Sequence, residues 1–255
     1  MAKAIVIGAG IAGLATALRL NKKGYQVQVF DANHHTGGKL DAKTIDGYRF
    51  DLGPSLFTMP ELVDELFKLH DKNPADYFQY KRKEVLCNYF WDDTTFFPAY
   101  AKKSDFIQKA ADTFSEPQEN LEKYISSTEE KYALTADLFL NKSLHKVKNY
   151  FSTSTLKAIR SMYKLHLNST LDQVNQHSFS NPKLVQLFNR YATYNGSSPY
   201  QTPGIMSMIP HLEMNKGTYL PKGGMHQISQ SLTRLAKEVG IEFHLGKQVD
   251  QIEHK

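Results

Sequence analysis

The chain has 255 residues, of which 41% are hydrophobic, and its net charge is +5 at neutral pH. This apolar content excludes a disordered chain and is enough for one large or two ordinary domains. The single cysteine excludes an intramolecular disulfide and a cysteine-rich metal cluster, and it favours a reducing cytoplasm. The sequence lacks a long apolar run and begins directly with a predicted core strand, so we expect neither a membrane span nor a signal peptide.

The N-terminal part has the pattern of a dinucleotide-binding β-α-β unit. A predicted strand at 4–7 runs into a glycine fingerprint of Gly8, Gly10 and Gly13, and a second predicted strand ends at Asp31. The first glycine permits a tight turn, the second lets backbone approach a pyrophosphate, and the third allows close packing of the helix on the strand. Asp31 has the spacing of the carboxylate that binds an adenosine ribose, and its charge disfavours the 2′-phosphate of NADP.

Two further glycine turns indicate which dinucleotide is bound. Gly38 and Lys39 follow the second strand, and Gly53, Pro54 and Ser55 form the next turn. Large flavoproteins of the glutathione-reductase class use such a Gly-Gly-basic turn to approach FAD. Enzymes that bind a nicotinamide cofactor usually continue with another βα unit, so the sequence predicts FAD.

Apolar periodicity and turn residues predict the rest of the fold. The predicted elements are a helix at 61–70, a β-hairpin at 84–91 and 94–100, a largely helical region at 102–211, a strand at 217–220, a helix at 225–238 and a strand at 241–245. This order predicts an α/β fold, in which an FAD-binding, Rossmann-like domain of the glutathione-reductase type is interrupted by an inserted α+β substrate domain.

The same order sets the domain boundaries. Residues 1–80 form the first part of the FAD-binding domain, 81–214 form the substrate domain, and 215–255 return to the FAD-binding domain. Val249 begins a further predicted strand at the end of the sequence. We therefore expect an N-terminal portion of a larger enzyme, in which the remainder completes the sheet.

Several segments resemble a known family. They are the fingerprint at 8–13, the turn at 37–39, and the stretches 51–60, 190–196, 199–200 and 221–225. In this order they make the sequence similar to the bacterial phytoene desaturase family of carotenoid desaturases. The stretches 57–60, 87–91 and 211–213 most resemble the 1-hydroxycarotenoid 3,4-desaturases. One departure is Lys39, because much of the wider superfamily has arginine there; the positive charge is kept but the bidentate fork is lost.

The resemblance implies a set of residues that contact FAD. They are Gly8, Gly10, Gly13, Asp31, Gly38, Lys39, Gly53, Pro54, Ser55, Gly223, Gly224, Met225 and Val249. Gly223 and Gly224 precede a predicted helix, so backbone N–H groups there could approach an anion or the flavin; a simple strand-to-helix turn is the alternative. In similar flavoproteins, the strand that begins at Val249 meets the adenine.

The resemblance also implies residues near the substrate. They are Arg190, Tyr191, Tyr194, Asn195, Tyr200 and His211. The stretch 190–200 is either a packed helix-loop corner or a domain junction, where tyrosine rings line a hydrocarbon channel and Arg190 or Asn195 supports the flavin side. His211 beside Glu213 is a candidate polar pair near the substrate. The histidines show no metal-ligand spacing, and no metal is predicted.

The implied reaction is FAD-dependent desaturation of a carotenoid at C-3,4 of a 1-hydroxylated acyclic end group, with hydride transfer to flavin N5. The polyene spreads the developing positive charge, so a strong protein base is not needed, and the sequence identifies no catalytic residue. A second glycine fingerprint for NAD(P)H is absent from the central region. Oxygen or a membrane quinone is therefore the expected electron acceptor.

Other functions stay open at this point. The enzyme could desaturate phytoene or diapophytoene, or it could be a carotenoid isomerase without net oxidation. A non-enzymatic alternative is a prenyl-group carrier of the Rab GDP-dissociation-inhibitor type. The intact glycine fingerprint with Asp31 speaks against the carrier, because the carrier does not need a flavin.

The positive charge is concentrated in one stretch. Between Leu138 and Leu171 there are five lysines and one arginine but no acidic residue. The sequence has no nucleic-acid-binding motif, and a carotenoid is lipid-soluble, so we expect peripheral association with the inner face of the cytoplasmic membrane rather than nucleic-acid binding. A predicted helix at 156–167 would lie in the membrane interface, or it would expose an ordinary solvated basic face.

Overall fold

The computed structural model describes residues 2–139 and 162–253. The chain divides into two compact units, one formed by Met1–Lys83 with Thr218–Lys255 and the other by Glu84–Gly217. The boundaries predicted from the sequence, 80/81 and 214/215, each lie three residues before these divisions. The predicted helix at 156–167 and most of the basic stretch lie outside the described residues.

The first unit is built on a parallel three-stranded sheet. Its strands are β1 (Lys3–Ile7), β2 (Gln26–Asp31) and β9 (Glu242–Leu245), with β2 in the centre. Its helices are α1 (Ile11–Lys22), α2 (Glu61–Leu69) and α7 (Gln227–Glu238). Val27 and Val29 of β2 are fully buried in the same cluster as Leu14 of α1 and Leu232 of α7. Val27 and Val29 are two positions apart, so they lie on the same face of the sheet and pack in one cluster with the helices. The predicted α/β fold class is confirmed.

This unit also contains a hairpin that was not predicted. β3 (Asp41–Ile45) pairs with β4 (Tyr48–Leu52) in an antiparallel ladder. Asp46 and Gly47 join the strands with φ of 49° and 82°. An Asp-Gly pair between strands is a strong hairpin signal because both positions of this turn require positive φ, so the sequence did contain a local signal for this hairpin.

A short ladder closes the first unit where the chain leaves it and returns. β5 (Tyr80–Arg82) pairs antiparallel with β8 (Tyr219–Pro221). The N–H of Lys83 donates to the carbonyl of Thr218 at 2.8 Å. The second unit is therefore an insertion whose two ends start from adjacent backbone positions.

The second unit combines the predicted hairpin with helices. Its elements are β6 (Val85–Phe90), β7 (Phe96–Tyr100), α3 (Lys103–Phe114), α4 (Gln118–Phe139), α5 (Leu171–Ser178) and α6 (Pro182–Asn189), followed by short helical turns up to Lys216. Aromatic rings fill the core, in which Phe188 lies 4.5 Å from Tyr124 and 4.9 Å from Phe179 between ring centroids. Within the described residues, no helix has both the length and the apolar character needed to cross a membrane.

The predicted strand at Val249 is wrong. β9 ends at Leu245, and residues 247–253 form no regular structure. The N–H of Lys247 still donates to the carbonyl of Asp31 at 2.9 Å. Beyond that bond the segment has no neighbouring strand among the described residues, and an extended segment without a partner forms no ladder.

Candidate cofactor and substrate sites

Two glycines of the fingerprint have different roles: Gly13 is required for packing, whereas Gly10 leaves space beside the helix. A Cβ built on Gly13 would lie 1.9 Å from the carbonyl oxygen of Gly8, so only glycine lets α1 pack on this turn. At Gly10 the nearest atoms to such a Cβ are in Gly37 and Gly38 at 3.9 Å. Gly10 has φ of −70°, which any residue adopts. The fold itself therefore does not require glycine at position 10.

Within the described residues, no side chain accepts a hydrogen bond as a cap at the N-terminus of α1. No side chain caps this helix, and its first turn has no acidic residue. The first four N–H groups of a helix lack intrahelical partners and carry partial positive charge. This end of α1, next to the space at Gly10, fits a phosphate group.

Asp31 lies beside the fingerprint as an ionised acceptor. One carboxylate oxygen accepts the N–H of Ala9 at 2.7 Å, and the other accepts the backbone N–H of Asn33 at 2.8 Å and its side-chain amide at 3.0 Å. Burial by itself would raise the pKa of Asp31, but these hydrogen bonds outweigh it and hold the pKa below its ordinary value. Each oxygen keeps lone-pair capacity for a ribose hydroxyl.

The second glycine turn meets the fingerprint, and the third meets the second. The N–H of Gly37 donates to the carbonyl of Ala9 at 2.9 Å. A Cβ on Gly38 would lie 3.2 Å from the Cα of Gly10, and one on Gly53 would lie 2.0 Å from the carbonyl oxygen of Lys39. The structure thus brings three separate predicted cofactor segments together. The side chains of Lys39, Pro54 and Ser55 are exposed beside them.

The turn that leads into α7 has a partner that sequence reasoning missed. The backbone N–H groups of Met225 and His226 donate to the carboxylate of Asp51 at 3.0 and 3.3 Å. Arg49 donates to the same carboxylate at 2.8 Å. A Cβ on Gly224 would lie 2.1 Å from the Arg49 guanidinium, so this glycine makes room for the ion pair.

This arrangement changes how the predicted Gly223–Met225 contact is interpreted. Burial would raise the pKa of Asp51, but Arg49 and the two N–H groups lower it, so a carboxylate of the chain itself serves as the anion there. Gly223 has φ of 88° and Gly224 has φ of 93°, as a strand-to-helix turn requires. Direct flavin contact by this turn stays a prediction.

In the second unit, Glu213 gathers three of the predicted substrate residues. Its carboxylate is buried, with the residue 1% exposed. It accepts hydrogen bonds from Arg190 at 2.7 Å, from the Tyr191 hydroxyl at 3.0 Å and from the Tyr194 hydroxyl at 2.7 Å. Burial and the Glu213 charge raise the pKa of both tyrosines, which stay neutral donors. The cluster fixes this helix-loop corner.

The expected pair of His211 with Glu213 does not form. His211 instead stacks on Tyr132, with ring centroids 4.6 Å apart, and one ring nitrogen lies 2.9 Å from the side-chain amide of Asn215. Residues two positions apart on a helical segment do not face each other, which explains the separation. Burial lowers the pKa of His211.

Two of the predicted substrate residues line a cleft of the second unit. Arg190 and Tyr200 line it, together with residues of α5 and α6, and its volume is about 790 Å³. This volume lies in the usual range for small-molecule sites. Tyr200 is 68% exposed, Asn195 is also exposed, and Tyr191 packs in the core. Among the described residues, no cluster of acidic, histidine or cysteine side chains is arranged to hold a metal ion.

Two relatives illustrate what the chain is similar to in sequence. It is 60% identical over 254 residues to the 1-hydroxycarotenoid 3,4-desaturase of Flavobacterium sp. (strain P99-3), covering 100% of this chain and 52% of that protein. It is 32% identical over 249 residues to the 4,4'-diaponeurosporene oxygenase of Staphylococcus aureus (strain USA300), covering 97% of this chain and 50% of that protein. The chain thus spans about half the length of these curated relatives.

A solved structure and a family model agree with this similarity. The cyclohexylamine oxidase of Brevibacterium oxydans IH-35A matches the fold with a TM-score of 0.57 at 17% identity, covering 95% of this chain and 50% of that one. The family described as flavin containing amine oxidoreductase matches residues 11–255. The chain therefore belongs to the flavin-containing amine oxidoreductase family, which implies a flavin cofactor.

Proposed function

We propose that the protein is an FAD-dependent carotenoid desaturase that introduces the 3,4 double bond into 1-hydroxylated acyclic carotenoids. The observation that carries the proposal is the 60% identity to a 1-hydroxycarotenoid 3,4-desaturase, which extends over 254 residues and thus includes both compact units. Since the chain spans 52% of that relative, the activity belongs to the full-length protein.

FAD is the flavin that the first unit fits best. Its diphosphate needs an anion site, which the N-terminus of α1 offers beside Gly10, and its adenosine ribose needs an acceptor, which Asp31 offers at the end of β2. Gly13 supports this arrangement because it lets α1 pack closely on the turn at Gly8. When bound, FAD would supply the hydride acceptor of the reaction.

The protein's contribution to the chemistry is positioning and exclusion of water. In the second unit, the buried Glu213 pairs with the partly buried Arg190, and its carboxylate also accepts from Tyr191 and Tyr194, so it is not free to act as a base. A polyene that delocalises positive charge needs no strong base for loss of its proton. We therefore assign Arg190, Tyr194 and Glu213 to holding the shape of the substrate region rather than to proton transfer.

We further propose peripheral association with the inner face of the cytoplasmic membrane and reoxidation by oxygen or a quinone. The support is the stretch without acidic residues between Leu138 and Leu171 and the low water solubility of a carotenoid. Family membership and the intact fingerprint favour an enzyme over a prenyl-group carrier.

The test uses the full-length protein with carotenoids in liposomes. We expect purified protein to show flavin absorbance with FAD as the released cofactor, and a 1-hydroxylated acyclic carotenoid to be converted with a red shift, because conjugation is extended. Conversion should be at least about tenfold faster than that of phytoene. A product of unchanged mass would identify an isomerase, and faster turnover of phytoene or diapophytoene would reject the 3,4-desaturase while keeping a carotenoid desaturase.

A further inference from the structure

The cleft of the second unit contains a carboxylate held by amides and by no cation. Asp172, on α5, is 7% exposed and lines the cleft. One oxygen accepts the side-chain amide of Asn189 at 2.6 Å, and the other accepts that of Gln176 at 2.6 Å. In the part of the chain that the structure describes, no lysine, arginine or histidine pairs with it. A buried carboxylate without a cation keeps a strong demand for further donors.

A directed chain of hydrogen bonds orients this carboxylate. The buried hydroxyl of Tyr124 donates to Asn175 at 2.7 Å, Asn175 donates to Asn189 at 2.8 Å, and Asn189 donates to Asp172. Each amide uses its oxygen toward the preceding group and its nitrogen toward the next. The chain fixes Asp172 as the terminal acceptor at the cleft wall, so the acceptor is preorganised.

A donor lines the same cleft. Arg190 uses its Nε on the Tyr89 hydroxyl at 2.7 Å and its Nη2 on Glu213 at 2.7 Å. Its Nη1 has no acceptor among the described residues. Pairing with Glu213 keeps the guanidinium charged, so it presents donors only.

Part of the remaining lining of the cleft is apolar. Phe179, Pro182, Val185 and Pro199 contribute side chains to its lining. Other lining residues are polar: Gln176, Ser180, Gln186, Asn189 and Thr193. A buried acceptor and a charged donor beside an apolar part of the lining match a group that both donates and accepts a hydrogen bond at the end of a hydrocarbon. A hydroxyl group does both, whereas an unsubstituted chain end would use neither the remaining acceptor capacity of Asp172 nor the Nη1 of Arg190.

We propose that this cleft binds the hydroxyl-bearing end of the carotenoid, with Asp172 accepting a hydrogen bond from the hydroxyl group and Arg190 donating one to the hydroxyl oxygen. The inference rests on the proposed function, because the 1-hydroxylated substrate comes from there. It assigns selection of the hydroxylated end group to Asp172. Sites built to pair a substrate hydroxyl discriminate strongly against the analogue that lacks it.

The experiment compares two substrates in the full-length enzyme. A 1-hydroxylated acyclic carotenoid and its counterpart without the hydroxyl are presented in liposomes, and kcat and KM are measured for each. We expect Asp172→Asn to lower the preference for the hydroxylated substrate about fivefold and Asp172→Leu to lower it at least about tenfold, mainly through KM. The matched control is Asp105→Asn, which changes an exposed aspartate on α3 and should leave the ratio unchanged.

The outcomes separate this inference from the proposed function. A role limited to holding α5 against α6 would impair both substrates equally and leave their ratio unchanged, which would overturn the inference. Equal conversion of both substrates by the unmodified enzyme would overturn it as well. Conversion of neither substrate by the unmodified enzyme would instead reject the proposed function. If Asp172→Leu fails to fold, the nearly isosteric Asp172→Asn, checked by flavin content and thermal unfolding, decides.

Discussion

The N-terminus of α1 and the turn that enters α7 have the same sequence signal but different partners. Both follow a strand, both contain glycines, and both were predicted to offer backbone N–H groups to a cofactor. At α1, within the described residues, no side chain caps the helix, whereas at α7 the carboxylate of Asp51 accepts from Met225 and His226. The end of α7 is thus satisfied by a side chain of the protein, and the end of α1 is not capped by a described side chain, which agrees with the ligand site we propose there.

The difference shows that a glycine-rich turn does not by itself indicate a ligand site. Gly224 makes room for the Arg49–Asp51 pair, while Gly10 makes room beside an uncapped helix. Substitutions at the α1 end should therefore affect flavin binding. Those at the α7 end should affect folding stability, whether or not flavin is bound.

The largest expected effect is loss of flavin in Gly10→Val. The backbone at Gly10 suits any residue, and the nearest atoms to a Cβ are 3.9 Å away, so the chain should still fold. The new side chain occupies the space beside the helix N-terminus that we assign to the pyrophosphate. We expect flavin absorbance of the purified full-length variant to fall below detection. The thermal midpoint of its flavin-free form should stay within a few degrees of that of the flavin-free parent.

Gly13→Ala is the contrasting variant. A Cβ there lies 1.9 Å from the Gly8 carbonyl, so the helix must move, and we expect instability of the flavin-free protein as well. Full flavin content in Gly10→Val would remove the cofactor assignment at α1. Normal stability of Gly13→Ala would contradict the packing described for this turn.

The second effect is weaker FAD binding in Asp31→Ala. Removing a charged acceptor from the ribose should raise the dissociation constant by roughly 10- to 150-fold, or about 1.5–3 kcal/mol. The measurement is titration of flavin-free protein with FAD. An unchanged dissociation constant would mean that the ribose is bound elsewhere. Glu65→Ala, which removes an exposed carboxylate paired with Arg19 on the same unit, is the control and should change little.

The third effect is lower stability in Asp51→Ala. The variant leaves the N–H groups of Met225 and His226 and the guanidinium of Arg49 without this acceptor, at a cost of about 2 kcal/mol in the free energy of unfolding. Thermal unfolding should detect this loss with and without FAD. A variant that keeps its stability but binds FAD poorly would instead make this turn part of the cofactor site.

Local signals in the sequence predicted much of the first unit. The spacing of Gly8, Gly10, Gly13 and Asp31 lies within a single β-α-β unit, so the fold class and the place of the site followed from it. The Asp46-Gly47 pair is an equally local signal for the hairpin that sequence reasoning missed. The aromatic runs around Asp92 and Asp93 predicted the β6–β7 hairpin, which the structure confirms.

The features that the sequence did not predict depend on contacts between residues far apart in the chain, or on the direction in which side chains point around a helix. Asp51 meets Met225 across 174 positions, and no local pattern indicates that pair. Glu213 and His211 are neighbours in sequence, yet helical geometry sends Glu213 to Arg190 and His211 to Tyr132. The strand predicted at Val249 failed because strand formation needs a partner, which a single segment cannot reveal.

The smallest expected effect is the acid dependence of the two carboxylates. Hydrogen bonds hold the pKa of Asp31 and Asp51 below the usual 3.8 in the folded protein. A lowered folded-state pKa means that the unfolded chain binds more protons in this range. Each carboxylate therefore contributes its full stability above the unfolded value of 3.8, and that contribution is lost as the pH falls through the lower folded-state pKa.

Urea unfolding of the flavin-free protein between about pH 3 and pH 6 should show this loss, with little change from these groups above about pH 5. Asp51→Asn should reduce the acid dependence, because it removes one titrating group while keeping an oxygen for the Met225 N–H. Asp31→Asn should likewise reduce the acid dependence of the free energy of unfolding. It should also weaken FAD binding at neutral pH, whereas Asp51→Asn should not. Equal weakening of FAD binding by both variants would show that the two helix ends do not differ as described, and that Asp51 belongs to the cofactor site after all.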